Sequence, residues 1–428
     1  MKQLWRAWWE RLTLRLNGEF SRVEREAEVA RRWARFIPLL GLAGLLLRVE
    51  MAVRGALVLL GLLALSWLWD RLSLVRLSYR RHFSEERAFL GEEVTLTLTL
   101  RNAKPLPLLL EIEDAFPGEL PIAGCEQAFN PLTQIYELRS FWLPGPFQRL
   151  ERHFRIRCTQ RGYHAFGPAA LTTGDALGLF TTRAQLPQRD RLIIYPKVYP
   201  VWAAPLPGKQ PLGDWISHQT LFEDPLRVAG VRDWQAGDGW RRVHWKATAR
   251  YQRLLSRVYE PSEEAQVMFF LNTATLEQYW AGCVHELFER VVSVTASLVL
   301  DCSTRRLPVG LAANAYWPGS DQWLRLAPGR SPDQVMRLLE MLAVVQGLPV
   351  VPIEELLLMQ AARLPWGATL VLVTGLTYPA LLSALEDLAR SGRKVALVTL
   401  AEPPAVLVDV RIYHAHLLED TLALEEVG

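Results

Sequence analysis

The longest apolar stretch of the chain covers residues 36–69, and three charged residues interrupt it, namely Arg48, Glu50 and Arg54. The interruption leaves two apolar blocks. As helices rising about 1.5 Å per residue, the blocks cover roughly 18 to 22 Å, so flanking Trp and Arg side chains must extend to the interfaces of a hydrocarbon core about 30 Å thick. The pattern predicts a transmembrane helical hairpin over residues 36–70 with the charged residues near its tip. A buried core hairpin of a soluble domain is the alternative.

Basic residues flank this hairpin unevenly, with nine in residues 1–35 and four in residues 71–81, against two at the tip. Because cytoplasmic loops carry an excess of Lys and Arg, we expect both hairpin ends, and the large C-terminal region, on the cytoplasmic side of the inner (plasma) membrane. Residues 1–35 also space Trp, Arg and Glu regularly, which predicts an amphipathic helix on the inner membrane face. A solvated helix that packs on the rest of the protein is the alternative.

The pattern changes to a period of two in residues 71–200. Residues 94–101 alternate apolar and polar side chains, and further strand candidates follow at 108–113, 134–141, 150–158, 169–173 and 191–195. Pro and Gly separate these segments at short intervals. Six or more short strands in this region predict an all-β, immunoglobulin-like sandwich. Three isolated histidines in it, His82, His153 and His164, have no second metal ligand at a recognised spacing.

Residues 201–226 are rich in Pro and Gly, which predicts a connector. Together with the signature helix that follows, this connector forms residues 201–262. Residues 263–428 then alternate strand-like runs with helical patterns. The strands are expected at 267–271, 309–313, 369–374 and 394–400, and the helices at 277–300, 332–345 and 378–390. Such alternation predicts an α/β domain with a mostly parallel sheet covered by helices.

Composition narrows the function. The chain has 428 residues, 50% of them hydrophobic, which allows two to three domains with sizeable cores. Its net charge is only +3, from 48 basic and 45 acidic residues, which argues against nucleic acid as a partner. Four cysteines lack C-x-x-C spacing and read as reduced packing residues: Cys125, Cys158, Cys283 and Cys302.

Residues 232–250 form the densest cluster of charged, aromatic and Gly residues in the chain. Gly237 and Asp238 are expected to open a helix there, because an Asp side chain accepts hydrogen bonds from exposed backbone N–H groups and its charge suits the positive helix end. Side chains at steps of three or four would then share one face of this helix. They are Arg241, His244 or Trp245, and Thr248.

This segment resembles the signature of the family called domain of unknown function 58. The match follows the pattern R-x-[YW]-x-x-G-D-x-x-R-x-[IV]-H-W-x-x-x-A-R and is carried by Arg232, Trp234, Gly237, Asp238, Arg241, Val243, His244, Trp245, Ala249 and Arg250. Residues 161–180 resemble the preceding block of the same family, and the resemblance spans roughly residues 35–400. It implies a von Willebrand factor type A-like fold for residues 263–428, and a MoxR-type AAA+ ATPase as a partner.

Type A domains often hold a divalent cation through a D-x-S-x-S motif after the first strand, because carboxylate and hydroxyl oxygens suit a hard ion such as Mg²⁺. At the corresponding positions this chain has Asn272, Ala274 and Leu276. Gly375 follows Thr374 at the later strand end where family members commonly carry an Asp. The resemblance therefore implies a degenerate metal site, and we expect no strong metal binding and no cofactor.

Three hypotheses remain for the signature cluster. It is structural, with Asp238 as a helix cap and Trp234, Trp240 and Trp245 packing the helix on neighbouring domains. Alternatively, it is a docking surface for a partner or between domains, formed by Arg232, Trp234, Gly237, Asp238, Arg241, His244, Trp245 and Arg250. In the third hypothesis it is catalytic, with His244 as general base. No nucleophile with a paired base, P-loop, G-x-S-x-G or H-E-x-x-H motif supports catalysis.

We therefore expect a non-enzymatic, membrane-anchored binding or assembly protein, acting as a scaffold or adaptor, with no catalytic residues. The expected partners are the lipid bilayer, the MoxR-type AAA+ ATPase that the resemblance implies, and other membrane or cell-envelope proteins. Two alternatives are a hydrolase that uses His244 and a type A domain that binds its ligand through a metal. His414 and His416 would share one face of a strand. Because a metal site would lack a third ligand there, a surface or packing role fits them better.

Overall fold

The computed structural model describes residues 20–122, 128–131, 135–203, 223–235, 238–261, 266–404, 407–418 and 421–427. The chain divides into two compact units, residues 1–194 and residues 195–428. The boundary falls close to the predicted end of the β-rich region at residue 200. The first unit contains the apolar hairpin and the strands of period two, and the second contains the signature segment and the α/β alternation.

The apolar stretch forms two antiparallel helices, α1 (Glu28–Leu46) and α2 (Glu50–Ser73). Arg48 has a positive φ of 52° in the three-residue turn between them. The helices approach closely at Gly44, because a Cβ atom at that position would lie 2.7 Å from the Cβ of Ala52. Small residues permit such close packing between membrane helices. The structure contains a pair of helices with charged residues near its tip, and the first helix begins at Glu28 instead of residue 36.

Within the described part of the chain, α2 is the one helix long and apolar enough to cross a membrane. Its 24 residues extend about 36 Å at the usual helical rise. Large apolar side chains along it face outward, among them Leu57 and Leu65. Helix α1 begins with the charged Glu28 and carries three arginines before its apolar half. A second membrane crossing by α1 therefore stays a proposal.

The first unit contains three sheets. Their strands are β1 (Arg22–Glu26), β2 (Leu77–Phe83), β3 (Arg87–Phe89), β4 (Glu93–Asn102), β5 (Leu110–Phe116), β6 (Ala128–Asn130), β7 (Ile135–Trp142), β8 (Arg149–Arg157), β9 (Gly162–Phe166), β10 (Ala169–Gly174), β11 (Thr181–Leu186) and β12 (Asp190–Tyr195). The sheet orders are β1-β11-β10-β5-β7-β6, β3-β12-β9 and β2-β4-β8. All six strands predicted in this region are present, with ends that differ by up to three residues.

One apolar core joins the three sheets. Along β4 every second residue points inward, and Leu96, Leu98 and Leu100 are fully buried. They share a cluster with Ile112 of the six-stranded sheet and Leu192 of the sheet formed by β3, β12 and β9. The alternation therefore predicted the buried face correctly, because one side of each sheet is covered and the other is exposed to solvent.

The helix predicted over residues 1–35 is wrong for Arg22–Glu26. These residues form β1 and pair antiparallel with β11, with Val23 opposite Ala184. Their five residues alternate between exposed and half-buried, which suits an edge strand as well as a helix surface. The edge of β11 offers backbone hydrogen-bond partners that sequence spacing does not reveal. Residues 1–19 lie outside the described residues.

The second unit contains a hairpin and an eight-stranded sheet. The strands are β13 (Val201–Ala203), β14 (Glu223–Asp233), β15 (Leu255–Pro261), β16 (Val267–Leu271), β17 (Val309–Tyr316), β18 (Trp323–Gly329), β19 (Thr369–Thr374), β20 (Lys394–Thr399), β21 (Val410–Leu417) and β22 (Leu422–Val427). The helices are α3 (Trp245–Tyr251), α4 (His285–Thr304), α5 (Pro332–Val344), α6 (Ile353–Ala361) and α7 (Pro379–Arg390).

The eight strands lie in the order β13-β22-β21-β20-β19-β16-β17-β18. Neighbours from β21 to β17 are parallel, whereas β18 pairs antiparallel with β17 and β22 with β21. The mostly parallel sheet is confirmed. The chain reverses its direction of winding between β16 and β19, and in open α/β sheets this switch point is where ligand crevices form.

Several boundaries in this unit differ from the prediction. Val201–Ala203 belong to the sheet, although they were assigned to the connector, because they pair in parallel with β22. Helix α4 starts at His285 instead of residue 277, since a short 3-10 turn at Tyr279–Ala281 and a positive φ of 120° at Gly282 precede it. Helix α6 and strands β18 and β22 were not predicted, whereas the strand expected around His414 and His416 is β21. Residues 204–222 of the connector lie outside the described residues.

Candidate functional site

The signature segment lies between the two strands of the β14–β15 hairpin. Asp238 organises the turn after β14: its Oδ1 accepts from Arg232 Nη2 at 2.6 Å and its Oδ2 accepts from the Gln235 backbone N–H at 3.1 Å. The Gln235 N–H and the Arg232 guanidinium hold the pKa of Asp238 below its usual value. The indole N–H of Trp234 donates to the Asp238 carbonyl at 3.2 Å. Three signature residues therefore stabilise one turn.

The prediction that Asp238 opens the signature helix is wrong. Asp238 precedes a 3-10 turn at Trp240–Arg242, and α3 begins only at Trp245. The cap is His244, whose Nδ1 accepts from the Ala247 backbone N–H at 3.1 Å. The carboxylate of Asp238 bonds to Gln235 and Arg232 instead, so it is not available to the helix. Gly237 lies outside the described residues.

The far end of the segment is tied back to β15. Thr248 Oγ1 accepts from the Leu255 backbone N–H at 3.1 Å, and the His244 N–H donates to the Leu255 carbonyl at 2.8 Å. His244 and Thr248 thus serve the backbone of the hairpin. The structure brings Arg232, Trp234 and Asp238 together in the turn, whereas His244 and Thr248 bond to the other end of the segment.

The aromatic residues of the segment do not all pack. Trp234 stacks on Trp240, with ring centroids 5.7 Å apart, but Trp240 is 65% exposed and Trp245 is 61% exposed. Helix α3 has no buried residue. Trp240 and Trp245 are thus exposed side chains, the latter on a helix that buries none of its own residues.

The geometry around His244 argues against its role as a general base. Because Nδ1 accepts the Ala247 N–H, the neutral imidazole carries its proton on Nε2, as assigned from this hydrogen bond. The accepting nitrogen is then occupied by the helix backbone, and the other nitrogen is a donor. A general base needs a free lone pair within reach of the proton that it abstracts.

A second polar cluster lies at the switch point, where β16, β17 and β19 end. Its members are no more than 5% exposed: Asn272, Thr273, Thr275, Asn314 and Thr374. Asn272 Nδ2 donates to Thr374 Oγ1 at 3.0 Å, and Asn272 Oδ1 accepts from the Ala274 N–H at 3.1 Å. Asn314 Oδ1 accepts from both the N–H and the hydroxyl of Thr273, at 2.8 and 2.9 Å. The cluster is neutral; four of its members bond to one another, and Thr275 Oγ1 accepts from the Val284 N–H at 2.7 Å.

This neutral cluster does not fit a divalent cation. None of its five side chains is a carboxylate, and the Thr374 hydroxyl already donates to the Leu376 carbonyl at 2.8 Å. An acid at position 375 would require the Leu287 side chain to shift, because a Cβ atom on Gly375 would lie 2.9 Å from Leu287 Cγ. Ala274 is buried and Leu276 is partly exposed; neither has a ligand atom. Hard cations need charged or carbonyl oxygens in an open cage.

Among the residues that the structure describes, no three His, Cys, Asp or Glu side chains are grouped so that they could hold a metal ion. His414 and His416 do share one face of β21, with ring centroids 4.1 Å apart. His416 Nε2 lies 3.6 Å from a Glu425 carboxylate oxygen on β22. This arrangement is a cross-strand His–Glu pair next to a second imidazole whose ring is tilted by 59°.

Sequence reasoning missed Asn314, which links two of the other cluster residues, Asn272 and Thr273, and the Val351 carbonyl. Residues 309–313 read as an apolar strand, and the Asn directly after this run carried no motif. One signal was available: a lone amide at the carboxyl end of a buried parallel strand must find a polar partner there. Sequence reasoning also missed that the helix of the signature segment contains no Asp or Glu.

Comparison with known proteins connects the signature segment to a family. Residues 230–400 match the family model described as "Protein of unknown function DUF58". The match starts just before the signature and is narrower than the resemblance over residues 35–400. A curated relative, the "Uncharacterized protein YeaD" of Bacillus subtilis (strain 168), is 26% identical over 236 residues. The matched region covers 54% of this chain and 54% of the relative.

Solved structures with local similarity include two cohesins. A cohesin module from the family 33 glycoside hydrolase of Clostridium perfringens is 9% identical, covers 28% of this chain and 95% of its own, and has a TM-score of 0.20. A non-cellulosomal cohesin from the archaeon Archaeoglobus fulgidus is 12% identical, covers 27% of this chain and 91% of its own, and has a TM-score of 0.19. Scores this low add nothing to the account of this chain.

Proposed function

We propose that this chain is a DUF58 family member, as the match of residues 230–400 to the family model supports, and that it is a membrane-anchored binding or assembly protein that works without catalytic turnover. Helix α2 supplies the anchor. The observation that carries the proposal is the exposed aromatic surface of the signature segment, because Trp240 and Trp245 are 65% and 61% exposed on a hairpin that internal hydrogen bonds keep ordered. Exposed Trp on a rigid scaffold is typical of protein-docking sites.

The proposal includes three finer statements. The first unit is an immunoglobulin-like sandwich, which its antiparallel sheets around one core support. Residues 263–428 are a type A-like domain, which the switch point between β16 and β19 supports. The hairpin spans the inner membrane with both ends in the cytoplasm, which the surplus of basic residues at those ends supports.

The partner that we propose is a MoxR-type AAA+ ATPase. Binding of a purified ATPase of this type to the full chain, held in lipid nanodiscs, tests the idea. We expect the double change Trp240→Ala and Trp245→Ala to weaken binding at least tenfold, because buried Trp anchors at interfaces contribute about 2 kcal/mol or more. Both side chains are exposed, so the variant should fold, although Trp240→Ala also removes the ring that stacks on Trp234.

Trp202→Ala is a matched control, because Trp202 is 64% exposed on the edge strand β13 of the same unit. It should change the affinity less than about twofold, as expected for a residue outside an interface. If the unmodified chain fails to bind the ATPase, the partner is wrong. If Trp202→Ala weakens binding as much as the double change at Trp240 and Trp245 does, the signature segment is not the docking surface.

A further inference from the structure

We infer that the signature segment binds an acidic surface of a partner protein, and that Lys246 and Arg250 of α3 contact the acidic side chains of that surface. The inference rests on the proposed function and adds the chemistry of the partner. It begins with composition, because residues 239–254 contain five Lys or Arg and no Asp or Glu. In a chain with nearly balanced charge, an acid-free stretch of this length concentrates positive charge at one place.

The structure exposes this charge on a short, ordered element. Lys246 and Arg250 are exposed and lie four residues apart on α3, so they share one helix face. Tyr251 at the end of the helix is 60% exposed, close to the value for Trp245 at its start. Seven helical residues extend about 10 Å, so the two cations lie close together on one face, with an aromatic ring on either side of them.

Two other exposed helix cations of the same unit, Arg290 and Arg390, have their own carboxylates. Arg290 of α4 donates to Glu286 at 2.7 Å, and Arg390 of α7 lies 3.1 Å from Asp387. Within the described ranges, Lys246 and Arg250 form no such ion pair. The stretch between Asp238 and Glu260 contains no acid that could supply one, and Asp238 itself bonds to Arg232. With no carboxylate of the described residues beside them, Lys246 and Arg250 are available to an acidic partner.

A protein partner fits this surface better than a lipid surface. The turn before α3 is fixed by the Arg232 to Asp238 ion pair and by the stacked Trp234 and Trp240. Such preorganisation favours a partner of defined shape, because less conformational entropy is lost on binding. Trp, Tyr and Arg are also the residues most enriched at the energetic centre of protein interfaces.

The test uses a fluorescent 20-residue peptide rich in Glu and a twin in which Gln replaces Glu. Binding is measured by anisotropy with the full chain in phosphatidylcholine nanodiscs, which carry no net charge. We expect the acidic peptide to bind about tenfold more tightly than its twin, and this preference to shrink between 50 and 300 mM salt through screening. The double variant Lys246→Glu and Arg250→Glu should abolish the preference, and Lys246→Gln with Arg250→Gln should reduce it.

The matched control is Arg290→Glu with Arg390→Glu, which changes the net charge equally on exposed helices and should keep the preference. No preference in the unmodified chain, or an unchanged preference in the α3 variant, overturns the inference. Displacement of the peptide by phosphatidylglycerol vesicles also overturns it, because the surface would then bind lipid headgroups.

The same variants separate this inference from the proposed function. If the ATPase binds and the two Trp changes prevent binding while charge reversal does not, docking stands and the acidic partner face is wrong. If the acidic peptide is preferred but the ATPase does not bind, the acidic face stands and the ATPase is the wrong partner.

Discussion

At the residue scale, His244 shows that a side chain can suggest catalysis in a sequence and yet act as a helix cap in the structure. A His beside Asp, Arg and Trp residues fits a catalytic pattern. Its Nδ1 instead accepts the Ala247 N–H, and its carbonyl accepts the Thr248 N–H at 2.9 Å. A residue's type and neighbours predict which chemistry it could perform, but hydrogen-bond geometry decides which atoms remain free for it.

We predict that His244→Ala weakens the start of α3 by about 1 kcal/mol, the usual loss when a capping side chain is removed. Amide exchange at Thr248 should then become about fivefold faster in the full chain, measured by hydrogen–deuterium exchange. His244→Asn should keep exchange near the original rate, because Asn is a strong cap. Equal acceleration in both variants would show that the imidazole has a role other than capping.

The switch-point cluster illustrates the same limit. Asn272, Ala274, Leu276 and Gly375 could be recognised from the sequence as a site without anionic ligands. That Asn314 would bond to Asn272 and Thr273 could not be recognised, because the contact joins residues 41 and 42 positions apart on neighbouring strands. Pairing between parallel strands fixes such contacts, and local patterns do not encode it.

At the element scale, periodicity predicted the helices and strands that bury one continuous face. β4, β16 and β19 were found because their side chains alternate or are uniformly apolar. Elements at the edge of a sheet were missed or misassigned, including β1, β13 and β18. Edge strands bury little surface, so their conformation follows from a neighbouring strand more than from their own sequence.

The end of helix α2 depends on a residue from another element. Lys104, which follows β4, is buried and donates to the Ser73 carbonyl and, at 2.9 Å, to the Val75 carbonyl. These carbonyls lie at the C-terminal end of α2, where backbone acceptors lack helical partners. Burial lowers the pKa of Lys104 to about 7. A neutral amine still has two N–H donors, enough for both carbonyls.

We predict that the stability contributed by Lys104 rises with pH. Between pH 7 and about 10.5 the unfolded chain holds a proton on Lys104 that the folded chain has released, so raising the pH favours the folded state. Lys104→Met should lose about 1 to 3 kcal/mol by leaving buried carbonyls unpaired. Thermal unfolding of both full chains in detergent should show their difference growing from pH 7 to 10. A constant difference would mean that Lys104 stays charged in the fold.

At the scale of the whole molecule, the chain joins an apolar helix, a β-rich unit and an α/β unit. Asp70 near the end of α2 is buried, accepts a hydrogen bond from the Thr182 hydroxyl and lies 3.7 Å from Arg25. With Lys104, these contacts fasten the helix to the sheets of the first unit. The order of these modules could be predicted from the sequence, because each has its own periodicity. Their internal contacts could not.

The orientation of the chain in the membrane can be tested by labelling single cysteines. Met51 lies near the hairpin tip and is 80% exposed, and Cys283 is exposed in the second unit. If the tip faces the outside and the C-terminal region the cytoplasm, the two thiols lie on opposite sides of the membrane. We predict that a membrane-impermeant maleimide labels Met51→Cys in intact spheroplasts when Cys125 and Cys283 are Ser. The thiol of Cys283, tested without the Met51 change, should react only after permeabilisation.

The result separates three arrangements. If only Cys283 is labelled in intact spheroplasts, the orientation is the opposite of the predicted one. That result would contradict the excess of basic residues at the hairpin ends, on which the prediction rests. Labelling of neither thiol before permeabilisation would mean that the apolar helices do not cross the membrane. The expected pattern requires α2 to span the bilayer, because an anchor that only lies on the cytoplasmic face would leave its tip on the same side as Cys283.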